Sequence, residues 1–174
     1  YFVKAERQQT HDDGLHGTDG PLHVQDVVDK RPIQETFLDA MEEQGVPRND
    51  DFNGVDQAGC GHYQFTQKNG RRWSTSSAYL NPARGRSNLE IRTKVQTKRI
   101  IFEEKRAVGV ETERSGRSET IRARHVIVSC GAIGSPQLLE LSGVGDSARL
   151  SALGIDVHHH LPDVGEHLQD HLLC

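Results

Sequence analysis

The chain has 174 residues, 21 basic and 25 acidic, a net charge of −4, and 34% hydrophobic residues. That length fits one domain or two small ones, and the balanced charge, with no basic stripe interleaved with aromatics, excludes nucleic acid as an expected partner. No run is long and apolar enough to span a membrane, no signal peptide is visible, and three widely spaced cysteines (Cys60, Cys130, Cys174) argue for a reducing, cytoplasmic compartment rather than a disulfide framework.

Tyr1-Phe-Val-Lys-Ala-Glu6 reads as the middle of a helix, and the sequence closes at Leu172-Leu-Cys174 straight after a polar motif. Both ends lead us to expect a piece of a longer protein. Residues 8–29 are polar and loop-like, with a dense turn cluster at His16-Gly-Thr-Asp-Gly-Pro21. Leu22, Val24 and Asp26 follow with strand-like alternation. The clearest helix covers residues 32–44. Pro32 sits near its start, Ile33, Phe37 and Met41 form an apolar stripe expected to face the core, and Gly45 with Pro47 stops it.

Residues 46–72 hold Asn49-Asp-Asp-Phe-Asn-Gly54 and a Gly-rich run to Gly61, and read as a long, ordered loop. Asp50-Asp51 suits turn chemistry. Ser74 is placed to cap a short helix that ends around Pro82. Leu89–Arg92, Thr97–Phe102, Ala107–Glu113 and Thr120–Ala123 alternate apolar with polar, and turns at Glu103-Glu104-Lys105 and Ser115-Gly116 join them as a β meander.

The apolar, β-branched run Val126–Ser129 predicts a strand buried on both faces. Gly131, Ala132 and Gly134 keep the following turn free of bulk, Ser135 can cap the next helix, and Pro136 suits its first turn. A buried strand, a small-residue turn and a helix N-terminus form the mouth of a doubly wound nucleotide site, although any α/β domain contains such turns. A helix at 136–142, a second at about 147–153 capped by Asp146 and stopped by Gly154, and a short strand at Ile155-Asp-Val157 complete the chain. The order is α+β leading into α/β.

Gly131-Ala-Ile-Gly-Ser-Pro-Gln-Leu-Leu-Glu-Leu-Ser-Gly-Val-Gly145 resembles the second signature of the glucose–methanol–choline (GMC) oxidoreductases. Asp51-Phe-Asn-Gly54, Gly70-Arg-Arg-Trp-Ser74, Ala78-Tyr-Leu80, Arg106-Ala-Val-Gly-Val-Glu111 and Leu161-Pro-Asp-Val-Gly-Glu-His-Leu-Gln-Asp-His171 look like family segments in family order, so the resemblance covers nearly all of the chain. It is nearest the choline dehydrogenase and primary-alcohol dehydrogenase branch. It implies FAD as cofactor, a small-molecule alcohol as substrate, and oxidation to an aldehyde by hydride transfer to the flavin. The resemblance further implies a substrate-domain part at residues 1–86, with long loops, and part of a Rossmann-like FAD-binding domain at 87–174.

The family's N-terminal G-x-G-x-x-G and its C-terminal catalytic His region are not in this sequence, so no catalytic residue is assigned. The alternative is a non-catalytic binding module derived from the fold, for which self-association would be expected.

The residues that match FAD-lining family positions are Thr97, whose backbone would meet adenine, Cys130, Gly131, Ala132 and Ser135 at the turn, and Val164, Gly165, Asp170 and His171 in the segment passing the flavin. Thr97 reads equally as an ordinary strand residue, and Cys130 as a small, buried, inert thiol where the family often has Ala. The family usually has Asn where this chain has His167. Arg71, Arg72, Trp73 and Ser74 fall on the flavin and substrate side by resemblance, against a simple Arg–Trp stack.

His158, His159, His160, His167 and His171 invite a metal reading, with His167 and His171 at helical i, i+4 spacing. Leu168 replaces the Glu of H-E-x-x-H, and no metal is expected beyond adventitious Ni or Zn. No G-x-S-x-G elbow points to a hydrolase.

Overall fold

The computed structural model describes Tyr1–Asp170. It divides into two units, Tyr1–Glu90 and Ile91–Cys174, each with its own helices and small open sheets, an α+β arrangement.

In the first unit a short helix α1 (Phe2–Ala5) leads into β1 (Glu6–Gln8), which pairs in parallel with β2 (Leu22–Val24), Glu6 opposite Leu22. Helix α2 spans Pro32–Glu43 as the sequence predicts. It starts on the fixed φ of Pro32, with the Arg31 N–H donating to Gln34 Oε1 at 3.0 Å. Gly45, at φ +85°, stops it.

The expected core stripe of α2 is not buried. Ile33 is 73% and Phe37 62% exposed, while Leu38, one position on, is buried. The amphipathic period places Ile33 and Phe37 on one face, but nothing among the described residues covers it.

The long loop is ordered by side chains that replace a backbone ladder. Asn49 Nδ2 donates to the carbonyls of Asp56 (2.8 Å) and Ala58 (3.1 Å), and Asn49 Oδ1 accepts from the Asp51 amide at 2.8 Å. Asp51 Oδ1 then accepts from the Asn53 amide at 3.0 Å. A two-residue hairpin follows, β3 (Gln67–Lys68) with β4 (Arg71–Arg72). Ser74 Oγ accepts from the Ser77 amide at 3.3 Å. The wide helical turn Ser76–Leu80 runs on into α3 (Asn81–Ala83), which ends around Pro82 as expected, with the proline accommodated in that helix's first turn.

The second unit opens on the predicted meander: β5 (Gln96–Glu103), β6 (Arg106–Arg114) and β7 (Arg117–Arg122), antiparallel in that order. The β6–β7 turn has Ser115 at φ +52° and Gly116 at φ +77°, the doubly left-handed geometry that matches strand twist. Leu89–Arg92 is not a strand. Its alternation meets no pairing strand among the described residues, and Arg92 sends its guanidinium to Glu119 at 3.0 Å.

The strand expected at Val126–Ser129 is likewise an extended stretch that pairs with nothing among the described residues, and Ile127 is 87% exposed. Extended backbone becomes a buried strand only when neighbours take up its amides and cover its faces.

Helix α4 runs Gly131–Leu141, five residues earlier than expected, so Pro136 lies inside it. Gly131, at φ +85°, makes the bend from extended chain to helix. Ser135 does not cap the amides after it: its Oγ accepts from the Cys130 N–H at 3.1 Å.

The chain returns through β8 (Val144–Gly145), α5 (Ser147–Ala152) and β9 (His159–His160), with β9 parallel to β8. Strand pairing thus falls two residues beyond the end of the expected Ile155–Val157 strand and includes none of it. The register is set by Gly143, whose carbonyl accepts from the amides of His158 (2.8 Å) and His159 (3.0 Å). Gly143 has φ +82°, and a Cβ there would lie 2.4 Å from the Asp156 carbonyl oxygen. Asp146 caps α5 as predicted, accepting from the Arg149 amide at 2.8 Å.

The buried apolar residues of this unit are Ile100, Leu138 and Leu150. Ser142 ties the helix to the sheet: its buried Oγ accepts from the Ile100 amide on edge strand β5 (2.8 Å) and donates to the Leu138 carbonyl (2.6 Å). Replacing Ser142 by Ala leaves a buried N–H unpaired and is expected to cost about 1–3 kcal/mol, read by urea denaturation.

Candidate functional site

The sequence singles out two separate segments, the head of α4 and residues 163–171. The second unit brings them together. From β9 the Leu161 amide donates to the Gly145 carbonyl at 2.9 Å, and the turn that follows is closed by Val164 N–H to Leu161 O and Glu166 N–H to Asp163 O, each at 3.2 Å. This swings Gly165 alongside Glu140 of α4. A cavity of about 320 Å³ opens between them, with Ala132, Pro136 and Glu140 on one wall and Gly165, Glu166 and Leu168 on the other.

Larger cavities lie elsewhere among the described residues, about 510 Å³ beside β5, about 420 Å³ in the first unit along the open face of α2, and about 370 Å³ beside α1 and β2. None of these joins the head of α4 to residues 163–171, so size does not choose the site.

The walls of the smaller cavity have a definite chemistry. Ala132 is in the first turn of α4, where backbone amides lack intrahelical acceptors and the helix dipole is positive. Gly165 is exposed with φ +83°, so bare backbone faces outward where a side chain would be strained. Opposing these features are two carboxylates, Glu140 and Glu166. One guanidinium neutralises both: Arg149 Nη2 donates to Glu140 Oε1 and Nη1 to Glu166 Oε1, while Nη2 also reaches the Val164 carbonyl at 3.1 Å. The bond to Glu166, with help from Glu140, raises the Arg149 pKa above its ordinary value.

Of the expected cofactor-lining residues, Ala132 and Gly165 share this cavity. Cys130, Gly131 and Ser135 form the bend that heads its helical wall, and Val164 is tied by Arg149. Thr97 lies on β5 opposite Thr112 and does not line the cavity. Asp170 is exposed. His171 lies outside the described residues. Cys130 is exposed rather than buried, because the extended segment before it is uncovered.

At about 320 Å³ the cavity has room for a ring-sized group and not for a whole dinucleotide. Small residues, bare backbone and helix-head amides fit one portion of FAD.

The Arg–Trp stack of residues 71–73 does not form. Trp73 donates through Nε1 to the Pro21 carbonyl at 2.8 Å, and Lys68, not an arginine, holds its ammonium 4.8 Å from the ring centroid. The C-terminal histidines are dispersed. His158 stacks on Phe102 at 4.3 Å, and His160 Nδ1 accepts from the Ser147 amide. His167 sits at φ +56°, a conformation that Asn, Asp and His adopt more readily than other side chains.

Sequence reasoning missed two groups: the Arg149 cluster and a buried histidine. His16 Nδ1 faces Glu6 at 3.0 Å and Nε2 faces Asp51 at 2.9 Å. With Asp13, His16 and Asp51 form the one compact metal-type donor group among the described residues. Both ring nitrogens already point at acceptor-only carboxylates, which makes His16 an imidazolium rather than a metal ligand. Burial opposes that charge, but the hydrogen bonds to Glu6 and Asp51 outweigh it and hold the His16 pKa above the ordinary value. No motif signals either group, since their members are 9 to 45 positions apart.

A family model described as GMC oxidoreductase matches residues 1–173. The chain is 46% identical over 173 residues to an oxygen-dependent choline dehydrogenase of Sinorhizobium fredii, covering 99% of this chain and 31% of that protein. It is 43% identical over 175 residues to an "alcohol dehydrogenase [acceptor]" of Pseudomonas putida, covering 98% of this chain and 32% of the relative. Among solved structures, a pyridoxine 4-oxidase from "Mesorbium loti" superposes with a TM-score of 0.87 at 30% identity, covering 93% of this chain and 32% of the other. The chain therefore spans about a third of the length of these relatives.

Proposed function

Because the chain belongs to the GMC oxidoreductase family, we propose that it supplies part of the FAD site of a flavoprotein that oxidises a primary alcohol, choline-like in class, to an aldehyde. The observation that carries this reading is the meeting of Ala132 and Gly165 across one cavity. The names of the curated relatives, choline and alcohol dehydrogenases, support the substrate class.

In this reading the second unit is the FAD-binding part and the first the substrate-domain part. Gly131 and Ala132 present helix-head amides to an anionic or polar edge of the cofactor. Gly165 lets it approach bare backbone. Val164 sets the direction of that backbone, Cys130 and Ser135 hold the bend, and Asp170 and His171 supply polar contacts beyond it. Thr97 meets the adenine end through its backbone. Bound FAD supplies the hydride acceptor. The chain's own residues bind and orient it, and the group that takes the hydroxyl proton is assigned to sequence outside these 174 residues.

The test is a visible spectrum of the purified chain before and after FAD titration, repeated for Gly165→Val. Flavin bands retained through gel filtration, with affinity reduced about tenfold by a β-branched residue forced to φ +83°, are the expected result. Retention that Gly165→Val leaves unchanged would reassign the cavity.

A further inference from the structure

We propose that Arg149 is a positioning residue: its guanidinium fixes the Val164–Gly165 peptide group, and with it the backbone that faces the cofactor cavity. This rests on the FAD reading of that cavity.

The contacts of Arg149 run to two separate chain segments. Its fork reaches Glu140 on α4, and both the Glu166 carboxylate and the Val164 carbonyl on the 161–166 turn. Its own base is fixed, because Asp146 caps the Arg149 amide and the neighbouring Leu150 is fully buried. Glu140 is fixed in turn. Its Cγ lies 3.2 Å from where a Cβ at Gly145 would stand, and its Oε1 lies 3.4 Å from the same point at Gly165. Two residues without side chains therefore leave the lane through which this carboxylate reaches Arg149.

The turn's internal bonds engage the amides of Val164 and Glu166, and Arg149 engages the Val164 carbonyl. In a trans peptide the C=O and the next N–H point in opposite directions. Holding the Val164 carbonyl toward Arg149 therefore turns the Gly165 N–H away from it. Gly165, free of a side chain and in a left-handed conformation, has no other side-chain contact among the described residues to set that direction.

The role is directional more than energetic. The Arg149 side chain is 40% exposed, and exposed ion pairs contribute little to stability. What the guanidinium provides is a rigid planar fork with several donors at fixed angles, which a lysine ammonium lacks. It also keeps Glu140 and Glu166 from repelling each other across a cavity meant for an anionic dinucleotide.

The experiment compares wild type, Arg149→Met, Arg149→Lys and Glu166→Gln by amide hydrogen exchange and by FAD titration of the same chain. Arg149→Met is expected to speed exchange at the hydrogen-bonded amides of Val164 and Glu166 by about tenfold, with β5–β7 unchanged. It is also expected to weaken FAD binding about tenfold. Arg149→Lys should rescue neither fully, because it restores charge without the fork. Glu166→Gln removes one contact only and should move both readings the same way by less, which keeps the test valid if Arg149→Met does not fold.

Faster exchange with unchanged FAD affinity would make Arg149 a structural tie and overturn the proposal, as would exchange like that of wild type. A wild-type chain that binds no FAD would overturn the cofactor reading itself, and the positioning role with it. The exchange data would still show separately whether Arg149 holds the turn.

Discussion

Replacing His16 by Ala is expected to destabilise the first unit by about 3 kcal/mol near pH 6, the lower end for breaking a buried ion pair. The lower end applies because the Glu6 and Asp51 side chains keep 13% and 14% of their exposure, so water softens the damage. The His16 side chain itself is 2% exposed. Its loss leaves two carboxylates facing one gap with no cation between them, and also frees the loop that Asp51 anchors.

The effect has a pH signature. The folded-state pKa of His16 is raised above 6.5, so its contribution is fully present below the unfolded value and is lost as pH rises through the folded one. The difference between wild type and His16→Ala should therefore be largest at about pH 6 and shrink toward alkaline pH.

His23 acts with the opposite sign. Burial, aided by Lys68 and Arg7, lowers its pKa, and its buried Nδ1 has no hydrogen-bond partner among the described residues. Its contribution is lost as pH falls, so only the difference between the two proteins isolates His16. Trp73 is the sole tryptophan and lies in the first unit, so its fluorescence during urea denaturation at several pH values is the measurement. A pH-independent difference would refute the imidazolium assignment.

Replacing Leu150 by Ala is expected to cost the second unit about 2–5 kcal/mol. Leu150 is the one fully buried large side chain among the described residues, and only Ile100 and Leu138 accompany it as buried apolar groups of that unit. With so few partners, the cavity left behind cannot be filled by rearrangement of a larger core. Its Cδ1 packs against Gly145, at the start of the return toward Gly165. The loss should therefore spread into the cofactor-side turn through α5, which carries Arg149. Hydrogen exchange should show faster opening of α4, α5 and β5 together. Exchange confined to α5 would mean that the small core is not shared.

Much of the local structure was legible because it depends on neighbours in sequence. The two residues Ser115-Gly116 specify a hairpin turn, and both take the left-handed conformation that such a turn needs. Pro32 and Gly45 bracket α2, and Asp146 with Gly154 brackets α5. The same local reading failed where the outcome depends on a distant partner. Val126–Ser129 and Leu89–Arg92 carry strand patterns but have no pairing strand among the described residues, and Ile33 and Phe37 carry a core pattern but have no cover. Pro136 reads as a helix start. Yet the small residues before it let the helix begin at Gly131, outweighing the proline's local preference.

By itself, then, the sequence determined helix α2, the β meander with its turns, the Asp146 cap of α5, and the ordered set of motifs that places this chain among the GMC oxidoreductases. These follow from backbone sterics and side-chain chemistry over a few residues, which any reader of the chain can apply. The tertiary structure alone decided that Gly165 stands beside Glu140, that Arg149 joins both walls of the cavity, and that His16 is clamped between Glu6 and Asp51. Such contacts join residues many positions apart. They exist only once parallel pairing of β8 with β9, and of β1 with β2, has carried distant segments to within hydrogen-bond reach.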